Sequence, residues 1–184
     1  AVIFDLAYGD SQARPDENVG YQACKNASDG VVAQGSVGAG TGATVGKILG
    51  MKNSMKGGIG TASIRLPGGV VVGAIVVVNA LGDVVEADTG RILAGARDPD
   101  TLKFIDSRRF LLENGAPGDA VAGNTTIGVI ATNARLNKEQ ANKIASMAHD
   151  GLALAIRPVH TMLDGDTLFT LATGDIEADV NVIG

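Results

Sequence analysis

The sequence has no tryptophan, and aromatic residues make up only 3% of its 184 residues. That scarcity argues against the aromatic platforms on which single-stranded nucleic acids stack. Basic residues are also outnumbered, 15 Lys and Arg against 20 Asp and Glu, for a net charge of −5. A mildly acidic chain has no general attraction for a phosphate backbone, so no nucleic-acid partner is expected. The single cysteine, Cys24, cannot form an internal disulfide, which fits a reducing, cytoplasmic setting. The longest apolar run, Gly69–Ala80, is about half of the ~20 residues a membrane-spanning helix needs, so no membrane partner is expected either. Ala1–Ala7 is apolar but lacks the basic start of a signal peptide.

Hydrophobic residues make up 45% of the chain, and mean hydropathy is +0.20. Such a chain folds, and its length suits one domain with a sizeable core. Ala1–Ala7 (AVIFDLA) reads as a buried strand, and Pro15–Ser28 as a short helix with an acidic first turn. Gly60–Leu66 and Gly69–Asn79 read as two strands joined at Pro67-Gly68-Gly69. The second is apolar on both faces and is expected to be central and covered on both sides. Asp88-Thr89-Gly90 marks another hairpin, and Thr101–Glu113 a surface helix. Asn114–Asn124 reads as a small-residue loop and Thr125–Thr132 as a β-branched strand. In Leu136–Ile156, Ala141, Ile144, Ala145, Ala148, Leu152, Ala155 and Ile156 recur at helical spacing. Thr167–Thr173 reads as a strand, and a helix is expected from Asp175. Mixed strands and helices with a two-sided apolar strand favour sheets covered by helices.

The glycine-rich stretch before Gly50 departs from both common phosphate-binding patterns. A Walker loop ending at Gly46-Lys47 would start with glycine where Thr41 stands, and would continue with Ser or Thr where Ile48 stands. A dinucleotide loop opening at Gly38-Ala39-Gly40 would need glycine at Ala43. The stretch is then either a flexible loop or backbone packed close to a site, with Lys47 delivered into it. Cys24 reads as a packed helix residue rather than a nucleophile. His149 reads as a structural group near a helix end. His160 is open to either role, and the two histidines lack metal-ligand spacing. Asp164-Gly165-Asp166 is a turn by composition, and it is also a carboxylate pair able to orient a neighbouring amine or hydroxyl. Gly123-Asn124-Thr125-Thr126-Ile127 joins a soft loop to a strand. Cleavage of the Asn124–Thr125 bond would give Thr125 a free α-amine titrating near ~7.7–8.0, a base beside its own hydroxyl.

Taken together, GNTTI at Gly123–Ile127, ATN at Ala131–Asn133 and RPVHTMLDGDTLF at Arg157–Phe169 resemble the DmpA-type N-terminal-nucleophile hydrolases. That family holds L-aminopeptidase/D-esterases, β-peptidyl aminopeptidases and the nylon-oligomer hydrolases, and Thr with an Asp-Gly-Asp turn is most similar to the last branch. The resemblance implies an α+β fold, a four-layer αββα sandwich, here as a single partial domain truncated at both ends. It implies Thr125 as nucleophile, Asn124–Thr125 as a self-cleaved bond giving pieces 1–124 and 125–184, and Asn79 with Lys47 stabilising an oxyanion. It also implies Asp164 and Asp166 as the acidic pair beside the nucleophile. A peptide or oligoamide substrate, no cofactor or metal, and a homo-oligomer (a tetramer of processed protomers) follow from the same likeness. Two other functions fit the same residues: acyl transfer of the self-cleaving ornithine-acetyltransferase kind, and a non-catalytic assembly subunit with an uncut chain.

Overall fold

The computed structural model describes residues 3–6, 8–116 and 123–184. Its centre is a four-stranded sheet of β3 (Gly58–Arg65), β4 (Val71–Asn79), β7 (Thr125–Ala134) and β9 (Thr167–Ile176), in the order β3-β4-β7-β9. β3 and β4 form the expected antiparallel hairpin. Its turn runs through Gly68 and Gly69 at φ +82° and +85°, a conformation that needs glycine. β4 also pairs antiparallel with β7, which pairs parallel with β9.

A parallel pair needs a crossover, and α3 (Lys138–Ala155) supplies it. Asn137 and Gln140 close a reciprocal capping box at its start. Ile144 and Leu152 project from its apolar stripe into a core with Ile130, Leu168 and Val76. Alternation along the strands puts Ile130 and Leu168 on that covered face. β4 is interior to its sheet, as expected, with Val76 and Val78 packed into that core and Val77 and Asn79 buried on the opposite face. On that opposite face, β9 leaves Phe169 and Leu171 53% and 54% exposed.

Smaller elements flank this layer. β1 (Thr44–Val45) pairs with β2 (Met55–Lys56). β5 (Asp83–Val85) lies between β6 (Ile92–Ala94) and β8 (Ile156–Arg157). The hairpin around Asp88-Thr89-Gly90 is closed by Glu86 N–H donating to Arg91 O at 2.9 Å. Asp83 is buried and accepts from the Ala96 and Ser107 amides and the Ser107 hydroxyl, at 2.7–2.9 Å. Burial pushes its carboxyl up, and these hydrogen bonds oppose the shift.

The α+β class stands, with sheets and four helices among the described residues. Several local expectations are corrected. Ile3–Leu6 form no strand, while Ala1, Val2 and Ala7 lie outside the described residues. α1 (Glu17–Lys25) forms on its Asp16 cap but buries nothing, so Cys24 is exposed rather than packed. The expected helix over Thr101–Glu113 is shortened to α2 (Ser107–Asn114). Asp98 holds Thr101 by its amide and hydroxyl at 2.7 and 2.8 Å in a turn, and the Asp106 cap starts the helix afterwards. The helix expected from Asp175 starts later, as α4 (Val180–Ile183). β9 continues to Ile176 because its carbonyl accepts from Arg135 N–H at 2.8 Å, extending the pairing with β7. The loop expected over Asn114–Asn124 lies partly outside the described residues, which exclude 117–122.

Candidate active site

Three local features build a buried polar cluster at the N-terminal end of β7. The first is the approach of Lys47. Gly46 takes φ +69°, and a Cβ there would lie 2.0 Å from the Ala96 amide nitrogen. Only glycine permits that contact, and it sets the next residue into the interior. Gly46 and Lys47 N–H then donate to Gly82 O and Leu81 O, both at 2.8 Å. Lys47 is 2% exposed, and its Nζ donates to Asn79 O at 3.0 Å and Asn79 Oδ1 at 2.8 Å. Burial lowers its pKa to about 8, and the Asp164 carboxylate opposes that fall.

The second feature is the register of β4 on β7, which places Asn79 opposite Thr125. Asn79 Oδ1 also accepts from Thr44 N–H at 3.0 Å, and its Nδ2 donates to Gly123 O at 2.9 Å. The Asn79 amide therefore reaches the carbonyl one residue before Asn124. Thr125 is 4% exposed, and its Oγ1 donates to Asn124 O at 2.6 Å. The same carbonyl accepts from Gly165 N–H at 2.8 Å.

The third feature is the Asp164-Gly165-Asp166 turn. It meets the start of β7 through a bridge between Asn124 and Asp164, with Asn124 Nδ2 donating to Leu163 O at 3.1 Å. The two carboxylates engage different groups rather than a shared point. Asp164 accepts from Leu81 N–H at 3.2 Å and from the Thr161 hydroxyl at 2.6 Å. Asp166 accepts from Thr126 N–H at 2.7 Å, with His160 Nδ1 at 2.7 Å from its other oxygen. Gly165 has a steric reason as well: a Cβ there would lie 3.0 Å from Thr125 Oγ1.

Lys47, Asn79, Asn124, Thr125, Asp164 and Asp166 thus come from distant segments into one cluster. Sequence reasoning missed the Gly165 amide, which carries no side-chain signature, and the link from His160 to Asp166. No group of three or more metal-ligating side chains occurs among the described residues, and no described helix is long and apolar enough to cross a membrane.

Thr125 thus opens an interior strand with its preceding carbonyl held by the Gly165 amide. The structure is similar to the beta-aminopeptidase of a Burkholderia species, with TM-score 0.58 and 26% identity over 91% of this chain and 41% of that one. It shares its fold with the L-aminopeptidase D-Ala-esterase/amidase of Ochrobactrum anthropi, a variant Ntn-hydrolase fold, with TM-score 0.63 and 24% identity over 93% and 41% of the two chains.

Residues 1–182 match Peptidase family S58, and the chain belongs to that family. Its sequence is 46% identical to an uncharacterized aminopeptidase of Mycobacterium leprae, over 97% of this chain and 49% of the relative. It is 35% identical to the 6-aminohexanoate-oligomer endohydrolase of Paenarthrobacter ureafaciens, over 96% and 50% of the two. The chain spans about half the length of these curated relatives.

Proposed function

We propose that this chain carries the nucleophile and the self-cleavage site of an amide hydrolase that acts through an acyl-enzyme on Thr125. The observation that carries this reading is the Thr125 hydroxyl, 2.6 Å from the carbonyl oxygen of its own preceding residue, in a cluster with a buried lysine.

In the intact chain the Thr125 nitrogen is an amide and cannot act as a base. Lys47 can, because its lowered pKa of about 8 leaves a useful neutral fraction near working pH. A neutral amine has two N–H bonds, which match the two Asn79 oxygens it faces, and its lone pair remains to take a proton. Thr125 Oγ attacks the Asn124 carbonyl carbon, its proton passes toward Lys47, and Gly165 N–H stabilises the oxyanion. Collapse breaks the C–N bond and protonates the Thr125 nitrogen, leaving an ester. Water hydrolyses the ester to the Asn124 carboxylate and regenerates the Thr125 hydroxyl.

The freed α-amine then serves as base in turnover. Thr125 Oγ attacks a substrate amide, the amine relays the proton to the leaving nitrogen, and water releases the acyl group. Asn79 Nδ2 and Gly165 N–H become available to the substrate carbonyl once the Gly123–Asn124 end withdraws. Asp166 fixes the Thr126 amide next to the nucleophile, and Asp164 supports Lys47 electrostatically. The relatives' names, aminopeptidase and 6-aminohexanoate-oligomer endohydrolase, support peptides or linear oligoamides as the substrate class.

The test is the full-length protein with Thr125→Ala, assayed for chain cleavage and for hydrolysis of an alanine p-nitroanilide and a linear 6-aminohexanoate oligomer. Loss of cleavage and of both hydrolyses is expected. Cleavage or turnover that survives the substitution overturns the assignment.

A further inference from the structure

His149 and His160 sit outside the roles assigned so far, yet they are joined to the site. His149 lies on α3, and His160 lies on the segment that follows β8. His149 Nδ1 is 3.2 Å from His160 Nε2, with the rings edge to face and their centroids 4.8 Å apart. On its other side, His160 Nδ1 is 2.7 Å from Asp166 Oδ2, while Asp166 Oδ1 accepts from Thr126 N–H at 2.7 Å. The Asp166 side chain is 3% exposed and that of His160 36%. The line of contacts runs from the solvent-facing imidazole to the amide beside the nucleophile.

The proton inventory fixes its direction. A carboxylate only accepts, so His160 Nδ1 carries the hydrogen. With His160 neutral, its Nε2 is an acceptor, and His149 Nδ1–H donates to it. His160 is also one of two described non-glycine residues at positive φ, +55°. Backbone held in that region has a conformational cost, and it aims the ring at Asp166 rather than outward.

We infer that His160, backed by His149, is a positioning residue for the proposed reaction: it holds the Asp166 carboxylate on Thr126 N–H and thereby fixes Thr125. This rests on the reading of Thr125 as nucleophile. Without the imidazole, Asp166 keeps its bond to Thr126 and the longer 3.2 Å bond from the backbone N–H of residue 160, but loses the 2.7 Å contact with Nδ1 that holds Oδ2. A nucleophile displaced by about 1 Å can lose on the order of 10²-fold in rate.

The experiment uses the full-length protein with His160→Ala, His160→Gly and His160→Asn, alongside Thr125→Ala. Asparagine tolerates positive φ and presents a side-chain N–H near the place of Nδ1, whereas glycine relieves the backbone and presents only its own amide. His160→Gly and His160→Ala are expected to lower kcat on the alanine p-nitroanilide on the order of 10²-fold with little change in KM. His160→Asn is expected to recover most of that loss. Wild-type kcat in the glycine variant, or an asparagine variant no better than glycine, overturns the inference. If Thr125→Ala retains activity, it is the nucleophile assignment that fails, which separates the two outcomes. Should His160→Ala fold poorly, the glycine and asparagine pair, matched for melting temperature, still decides.

Discussion

Two buried regions of this molecule are built on opposite terms, although β4 and β7 contribute to both. The apolar core of Val45, Val70, Ile130, Ile144, Leu152 and Ile183 gains free energy from every side chain it hides. The polar cluster of Lys47, Asn79, Asn124, Thr125 and Thr126 is as deeply buried, and each polar atom it hides costs free energy unless it is hydrogen-bonded, as the Lys47 amine and the Asn79 amide are. Val45 and Lys47 are two residues apart and belong to different regions. The difference shows where stability is made and where it is given up. A lysine whose pKa falls from 10.5 to about 8 costs the fold up to ~3 kcal/mol while it is charged. Such a cost persists where a site needs the group.

Substitutions that act on one region and spare the other sharpen this contrast. The largest effect on chemistry is expected from Lys47→Met. Removing a positioned base typically costs on the order of 10²–10⁴-fold, so Asn124–Thr125 cleavage should nearly stop in a time course on denaturing gels. Stability should move differently. The unfolded lysine holds its proton up to pH 10.5 and the folded one only to about 8. Between these values the unfolded state binds more protons, so wild-type stability rises with pH relative to the variant. Denaturant titrations at pH 7 and pH 10 should show that rise, and the methionine variant should lack it.

Gly165→Ala comes next. Its Cβ would stand 3.0 Å from Thr125 Oγ1, closer than a well-placed nucleophile can accept. Cleavage and turnover should fall on the order of 10²-fold, with the melting temperature nearly unchanged. Ile144→Ala is the converse. It should cost about 2–5 kcal/mol in chemical denaturation, while kcat per folded molecule stays near wild type. The smallest effect is expected from Asp164→Asn. Its charge raises the Lys47 pKa, so its loss should shift the pH–rate profile of self-cleavage toward lower pH. A shift toward higher pH would contradict the electrostatic assignment.

The same contrast explains what the sequence disclosed. Core elements were legible because burial leaves a period: α3 from Ile144, Ala148 and Leu152, and β4 from its continuous apolar run. Cys24 was misjudged because small residues on α1 say nothing about what lies opposite, and nothing described does. β9 ran past Thr173 because its end is set by Arg135 and Ala134, about forty residues away. The polar cluster has no period. Lys47, Asn79, Thr125, Asp164 and Asp166 were found through their chemistry and a family likeness across separate segments. The Gly165 amide and the His149–His160 contact were not, because both depend on how the chain turns back after α3.

The central claim is that Thr125 cuts the bond before it, and the mass of the purified full-length protein tests that directly. Denaturing mass spectrometry should find two pieces, with the C-terminal one beginning Thr125-Thr126-Ile127 on N-terminal sequencing. One intact chain after prolonged incubation well above pH 8, where Lys47 is largely neutral, would contradict the account.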